Sequence, residues 1–346
     1  MRCIFNPSGA AMTIPNRGTI SAVFRIGVAV ILFVFAAADN PVASSGETTT
    51  RQAGALYERA CAACHGVDGS GAPSGQLGFD VPLPDFTNCD FASREADGDW
   101  ILVTAEGGPA RGFSRLMPAF GNALTRSQIE KTIGHIRSFC QNKEWPRGEL
   151  NLPRPLVTTK AYPEDELVFS TSLNTEGLDK ISNEIIYEQR FGPRNQVEVI
   201  VPFGWSEQEE ADGDTQWRSS VGDIGVGFKR VVYHDLGSGT ILSLGGEVFL
   251  PTGDEEEEFG SGTTVFEPYL ALGQILPGGF FAHFQTGLVL PYDDDEVNEE
   301  VFWRGAFGRA FFTGRYDRRW TPMIEILGSD EMVSGGDTKW DAVPQL

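Results

Sequence analysis

Cys61-Ala62-Ala63-Cys64-His65 sets the narrowest limit on what this chain can fold into. Two cysteines three apart, followed at once by a histidine, form the spacing that holds a porphyrin. Each thiol adds to one vinyl group, and the imidazole is given to the iron. Chain around such a turn must wrap a flat apolar ligand. A bare C-x-x-C also serves as a redox dithiol or as half of a zinc site. The histidine fixed to the second cysteine, and the lack of any second C-x-x-C pair in the sequence, argue against both. The expectation is one covalent haem c, attached through Cys61 and Cys64, with His65 as proximal iron ligand.

The sixth ligand has few candidates. Met117, in Arg115-Leu116-Met117-Pro118-Ala119-Phe120-Gly121, stands just before a strongly signalled helix and would give a His/Met site. His135 lies inside that helix, where a lone histidine is more often packed or solvated, so Met117 is the expected ligand. Either Pro82 or Pro84 offers a carbonyl to the free Nδ1–H of His65, a common way of fixing a ligand ring. Leu56, Tyr57 and Ala60 share the face of a short helix leading into the haem turn, and Gly66, Gly69, Gly71 and Gly75 punctuate the loop after it. A second short helix is expected over 95–105. The last begins at the capping box Thr125-x-x-Gln128 and carries Ile129, Ile133, Ile136 and Phe139 at helical spacing.

With CAACHG and its trailing glycines, the MPAFG methionine segment and a terminal helix ending IRSFC, residues 47–145 resemble a class I, single-haem cytochrome c. The resemblance implies a small all-α domain that exchanges single electrons with redox partner proteins, periplasmic cytochromes among them. It implies a carrier and not an enzyme. Cys89 and Cys140 are additional to the usual family pattern.

Compartment follows from charge and cysteine use. A formal net charge of −21 over 346 residues excludes nucleic acid as a partner, which needs clustered Lys and Arg. Residues 1–44 read as a secretory signal. Arg17 and Arg25 precede the apolar run 26–38, and small residues follow, with cleavage after Ala38 or within 42–44. An uncleaved anchor is the other reading of this segment, and Met12 is an alternative start. With Cys3 in the signal and Cys61 and Cys64 taken by haem, Cys89 and Cys140 remain as one pair in an oxidising compartment, where a disulfide is expected.

Residues 146–163 are proline-rich and read as an extended linker. From 164 to 346 the helical period gives way to runs of about ten residues with period-two alternation. Strands are expected near 165–174, 182–191, 195–204, 219–233, 240–251, 263–276, 280–291, 300–313, 320–328 and 340–346. Gly222, Gly225 and Gly227 read as small positions within one of them. Connections such as 192–195, 234–239, 276–279 and 314–319 are compact. Those at 205–217, 252–262 and 292–299 are longer and acidic, and are expected as solvated loop surface. Short turns at one end and long loops at the other is the pattern of outer-membrane barrels. Trp205, Trp217, Tyr233, Tyr292 and Trp320 near strand ends fit interfacial girdles. This half resembles bacterial outer-membrane barrels of the porin or small-molecule transporter kind. The chain stops at the start of a strand without the usual terminal aromatic, so a barrel incomplete at its C-terminus is expected, the alternative being a smaller or open sheet.

The fold class expected is therefore multidomain: an all-α cytochrome c domain followed by an antiparallel transmembrane-type β-barrel of about ten visible strands. Its implied function is electron transfer by haem c on the periplasmic side of the outer membrane, in contact with outer-membrane lipid. The alternative is a small-solute channel in which the cytochrome is a redox-linked plug or docking module.

Overall fold

The computed structural model describes residues 46–79, 81–174, 179–209, 215–255, 259–313, 318–332 and 338–346. The expected signal, residues 1–44, lies outside them, as do Glu210, Asp212, Asp214 and Glu256 to Glu258 of the acidic loops and most of the turn 314–319.

The N-terminal part is helical: Gly46–Ala60 (α1), Ala62–His65 (α2), Ser74–Leu77 (α3), Cys89–Arg94 (α4), Asp97–Glu106 (α5) and Arg126–Arg137 (α6). α6 starts on its capping box. Thr125 Oγ1 accepts the Gln128 N–H at 3.3 Å, and the Gln128 side chain accepts the Thr125 N–H at 2.8 Å. The stripe Ile129, Ile133 and Ile136 is buried against Tyr57 of α1, Ile101 of α5 and Phe86. Helices this short are marginal alone and are held by burial of such a stripe. The Arg137 guanidinium ties α6 to the α4–α5 junction. Its Nε donates to Asp97 at 2.8 Å, its terminal nitrogens donate to the carbonyls of Ala92 and Glu95, and it lies 3.9 Å over the Trp100 ring. Cys89 and Cys140 form the expected disulfide, joining the start of α4 to the chain beyond α6.

Strands follow: Glu166–Asn174 (β1), Lys180–Phe191 (β2), Asn195–Glu209 (β3), Thr215–Val221 (β4), Ile224–Asp235 (β5), Thr240–Leu250 (β6), Val265–Ile275 (β7), Phe280–Pro291 (β8), Glu300–Arg309 (β9), Phe311–Thr313 (β10), Arg318–Trp320 (β11), Met323–Glu331 (β12) and Thr338–Gln345 (β13). They form one antiparallel sheet in the order β1-β2-β3-β5-β6-β7-β8-β9-β12-β13. β4 pairs with β3, and β10 and β11 make a small hairpin of their own. The sheet is open, with β1 and β13 at its edges: the described strands do not close the barrel, expected to be incomplete at its C-terminus, and form the open sheet given as its alternative.

Several stretches differ from the sequence expectation. The strands expected over 300–313 and 320–328 are each divided, into β9 and β10 and into β11 and β12. Much of the loop expected over 205–217 is strand, because β3 runs on to Glu209 and β4 returns along it from Thr215. The single strand expected over 219–233 is broken at Gly222–Asp223. There the Asp223 carboxylate accepts the N–H groups of Gly253 at 2.9 Å and Ser261 at 2.8 Å. β4 therefore pairs with the far half of β3 and β5 with the near half. The expected small positions hold. A Cβ on Gly225 would meet the Phe249 ring at 2.7 Å, and one on Gly227 would overlap the Glu198 carboxylate.

The sheet's two faces are inverted relative to a water-soluble protein. Val197, Val199, Val226, Phe228, Ile324 and Ile326 are exposed. Their alternating neighbours Gln196, Glu198, Lys229 and Glu325 are buried. Burying charge is costly unless it finds partners, and many of the partners come from residues 146–165. This segment is not a free connector. Leu150, Leu152, Thr158, Thr159, Lys160, Ala161, Tyr162 and Glu164 are all buried, and Leu150, Ala161 and Tyr162 join the core formed by Ile186, Ile200, Val231, Ile241 and Phe249. Its contacts also require the sheet to curl. Arg154 reaches Glu188 on β2, while two residues later the Leu156 N–H reaches Glu325 on β12 at 2.6 Å. Those strands stand seven spacings apart, roughly 34 Å along a flat sheet at about 4.8 Å each.

The same segment carries the helical part to one end of the sheet. Gly148 passes so close to the α4–α5 turn that a Cβ would lie 2.4 Å from the Arg94 carbonyl oxygen. The Tyr162 hydroxyl donates to the carbonyl of Ser93 at 3.2 Å, and Arg94 pairs with Asp165 at 2.9 Å. The Glu144 carbonyl meets Arg194 at 3.4 Å and His234 at 3.2 Å, beside the short turns after β2 and β5. Gly148→Ala is expected to force these surfaces apart at a cost of about 1–3 kcal/mol. Thermal unfolding of the purified variant measures this as a lowered midpoint.

Candidate haem site

Cys61, Cys64 and His65 lie on one helical turn. The Cys64 and His65 N–H groups both donate to the Cys61 carbonyl, at 3.1 and 2.9 Å. The turn closes into the glycine loop: Gly71 N–H donates to the His65 carbonyl at 2.9 Å and Ala72 N–H to that of Cys64 at 2.8 Å. Gly66, Gly69 and Gly71 all have positive φ, which only glycine adopts without strain. A side chain on Gly69 would also strike the Phe139 ring at 2.6 Å. The fully buried Tyr57 pins the loop from below, its hydroxyl donating to the Gly66 carbonyl at 2.7 Å.

The His65 ring stacks on Phe86, with centroids 4.9 Å apart, and Phe86 continues into Trp100 and Phe91. Burial holds the His65 imidazole below its ordinary pKa, which favours the neutral ring that a metal needs. Its Nδ1 is buried without a hydrogen-bond partner, so the carbonyls of Pro82 and Pro84 do not make the bond expected of them. Burial, and then the neighbouring Cys64, pushes the Cys61 thiol up to about 11.

Met117 is half-buried on a strap between α5 and α6. Its carbonyl accepts the Gly108 N–H at 3.0 Å, and the strap is fastened back onto α5 where Phe120 N–H donates to Thr104 and Gly121 N–H to Ala105, each at 2.9 Å. Gly108 and Gly121 permit this closeness, since a Cβ on either would meet a carbonyl oxygen at 2.2 or 2.8 Å. His135 is packed elsewhere: its ring lies 5.4 Å from Tyr57 and 5.1 Å from Phe139, against Gly54. The described contacts thus unite Cys61, Cys64 and His65 and bridge Cys89 to Cys140; they do not join Met117 to His65.

These residues fit a c-type haem. The two half-buried cysteines are unbridged, although the domain's other pair is a disulfide. Burial disfavours the charged form of the adjacent imidazole, and apolar Val67, Phe91, Phe113 and Leu116 stand exposed in the same domain, the kind of surface a porphyrin covers. Phe86 as the ring beneath His65 and Tyr57 as the prop of the glycine loop belong to no local motif; from sequence Tyr57 reads only as one position on a helix face.

A second gathering of donor atoms is not a cation site. Glu164, Glu166 and Glu188 bring three carboxylates together, but one Arg154 nitrogen contacts all three, so the cation there is the protein's own.

Comparison with known families divides the chain at the same place. Residues 48–136 match the family described as cytochrome C oxidase, cbb3-type, subunit III. Residues 162–316 match the family described as Putative MetA-pathway of phenol degradation. No curated protein matches the chain. The chain therefore fuses a cytochrome c-type domain to an outer-membrane-like sheet domain.

Proposed function

We propose that this protein transfers electrons through one covalently bound haem c, attached at Cys61 and Cys64 and ligated by His65 and Met117, held on the periplasmic side of the outer membrane by its sheet domain. The observation that carries the reading is the join itself. The domain bearing the C-x-x-C-H turn docks by Ser93, Arg94 and Glu144 at the short-turn end of a sheet whose outward face is apolar. In outer-membrane proteins short turns face the periplasm. Most of the main strands are 9 to 15 residues long, enough to cross a bilayer. Trp205, Trp217, Tyr233, Tyr292 and Trp320 are all exposed, as interfacial anchors are.

Bound haem supplies a reversible one-electron couple, and this chain's residues fix its place and polarity. His65 would ligate the iron through its imidazole, the glycine loop would let backbone pass close to the group, and Met117, on the strap fastened to α5, would supply a thioether as the second ligand. A thioether there raises the reduction potential relative to a second imidazole.

Met117→Ala is expected to abolish the methionine–iron charge-transfer band in the far red and to lower the reduction potential, with the haem still covalently attached. Persistence of that band assigns the distal position to another group. The membrane reading is tested by fractionation: the haem-staining protein should leave outer membranes only with detergent, and recovery in the soluble periplasm would falsify it. A solute-passing role is the second reading. It is favoured by the polar inner face, with Lys229, Gln285, Arg304 and Glu325 buried there, and by the match of 162–316.

A further inference from the structure

The inner face of the sheet grips residues 153–164 by their main chain. Glu325 on β12 accepts the N–H groups of Leu156 at 2.6 Å, Val157 at 3.1 Å and Thr158 at 2.8 Å. Gln285 on β8 accepts that of Thr159 at 2.9 Å, and Gln196 on β3 that of Glu164 at 2.8 Å. Lys229 on β5 donates to the Lys160 carbonyl at 2.8 Å, and Ser243 on β6 to the Ala161 carbonyl at 2.6 Å. His283 on β8 meets the Pro153 carbonyl at 3.0 Å. Leu152 reaches β7, where it lies 3.4 Å from the space a Cβ on Gly273 would take.

We infer that residues 153–164 are an internal plug, which closes the curled sheet to solutes as long as it stays bound. The segment touches β2 and β12, near opposite ends of the strand order, and strands between them, so it crosses the concave face of the curled sheet. Five of its residues from Thr158 to Tyr162 are each at most 6 % exposed, so water does not reach that stretch, whereas Leu156 before it is exposed. The side chains that hold it are the same polar groups a solute would have to use. Burying Glu325 and Lys229 is costly unless they are paired, so an empty interior would refill with the segment or with water. The plug is also the chain's route to the haem domain: withdrawing it means breaking Tyr162 from Ser93 and Arg94 from Asp165. The cytochrome domain was the expected plug or docking module; here the connecting segment takes the plug's place, with the cytochrome domain docked outside.

The inference rests on the membrane reading above, and the experiment separates the two. Haem-loaded full-length protein is placed in vesicles holding glucose, and amide exchange over 153–164 is followed by mass spectrometry in parallel with glucose efflux. Val157→Pro deletes one N–H donor to Glu325, and Thr158→Pro deletes an N–H and a hydroxyl donor, neither altering a strand; Glu325→Ala removes the acceptor from the sheet side. Wild-type vesicles are expected to stay tight with slow exchange at 156–159. In the variants, exchange at the remaining amides there should quicken at least about tenfold, as charge-assisted bonds are lost, and glucose should escape. Wild-type vesicles that leak as fast as the variants overturn the plug. So do variants that lose protection yet stay tight, and a wild type whose 156–159 amides exchange freely. Protein that never enters vesicles while those amides stay protected defeats the membrane reading, and the plug falls with it as a solute barrier.

Discussion

Replacing both Cys61 and Cys64 with serine is expected to yield a full-length polypeptide that carries no haem through a denaturing gel. Thioether bonds survive denaturation and axial coordination does not, so His65 alone cannot retain the group. The loss should be complete by haem stain and by the pyridine haemochrome spectrum; a stained band would refute attachment at these cysteines. The domain should also loosen. Its buried apolar cluster is small, built on Tyr57, Phe86, Ile101 and three isoleucines of α6. What remains is the Cys89–Cys140 bridge and the Arg137 clasp, so helical content should fall less than thermal stability.

The second large effect is expected at Arg154. Its guanidinium faces Glu164, Glu166 and Glu188, of which Glu164 and Glu188 are buried. Arg154→Ala leaves these carboxylates without their shared cation, and removing one partner of a buried ion pair costs about 3–5 kcal/mol. Urea unfolding of the detergent-solubilised protein should show a much lower midpoint. Arg154→Lys keeps the charge but loses the planar fork that reaches several carboxylates at once, and should fall between. Adding Glu188→Gln to Arg154→Ala should recover part of the loss, because it removes a stranded charge. A midpoint unmoved by Arg154→Ala would mean that water already screens the cluster.

The parts of this molecule that are written locally were the legible ones. The haem turn, the capping box at Thr125 and the period-two strands each depend on residues close in sequence. The disulfide followed from counting, since Cys89 and Cys140 were the pair left over. The β3–β4 hairpin was misread because Glu207, Glu209 and their neighbours look like loop composition, although polar residues are acceptable in a strand that projects beyond an apolar band. Residues 153–164 were harder still. Many of their contacts with the sheet run through main-chain groups, which leave no mark on the residue types of the segment held. The groups that hold them, Gln196, Lys229, Ser243, His283, Gln285 and Glu325, are scattered over five strands, each reading as one more inward polar position. The prolines that suggested a linker are compatible with any chain that has no ladder to join.

The fastening of residues 146–163 also decides how the haem can meet its partners. Eighteen loose residues would let a domain wander over at least roughly 20 Å, a leash on which a shuttle could collect charge at one place and deliver it at another. Pinned at Gly148, Tyr162 and Arg154, the leash has no slack. A carrier built this way works as a fixed post: traffic must come to it, and its rate is set by how often mobile donors arrive and how well they orient. Such an arrangement favours crowded surroundings, where partners are plentiful and only the address has to be constant.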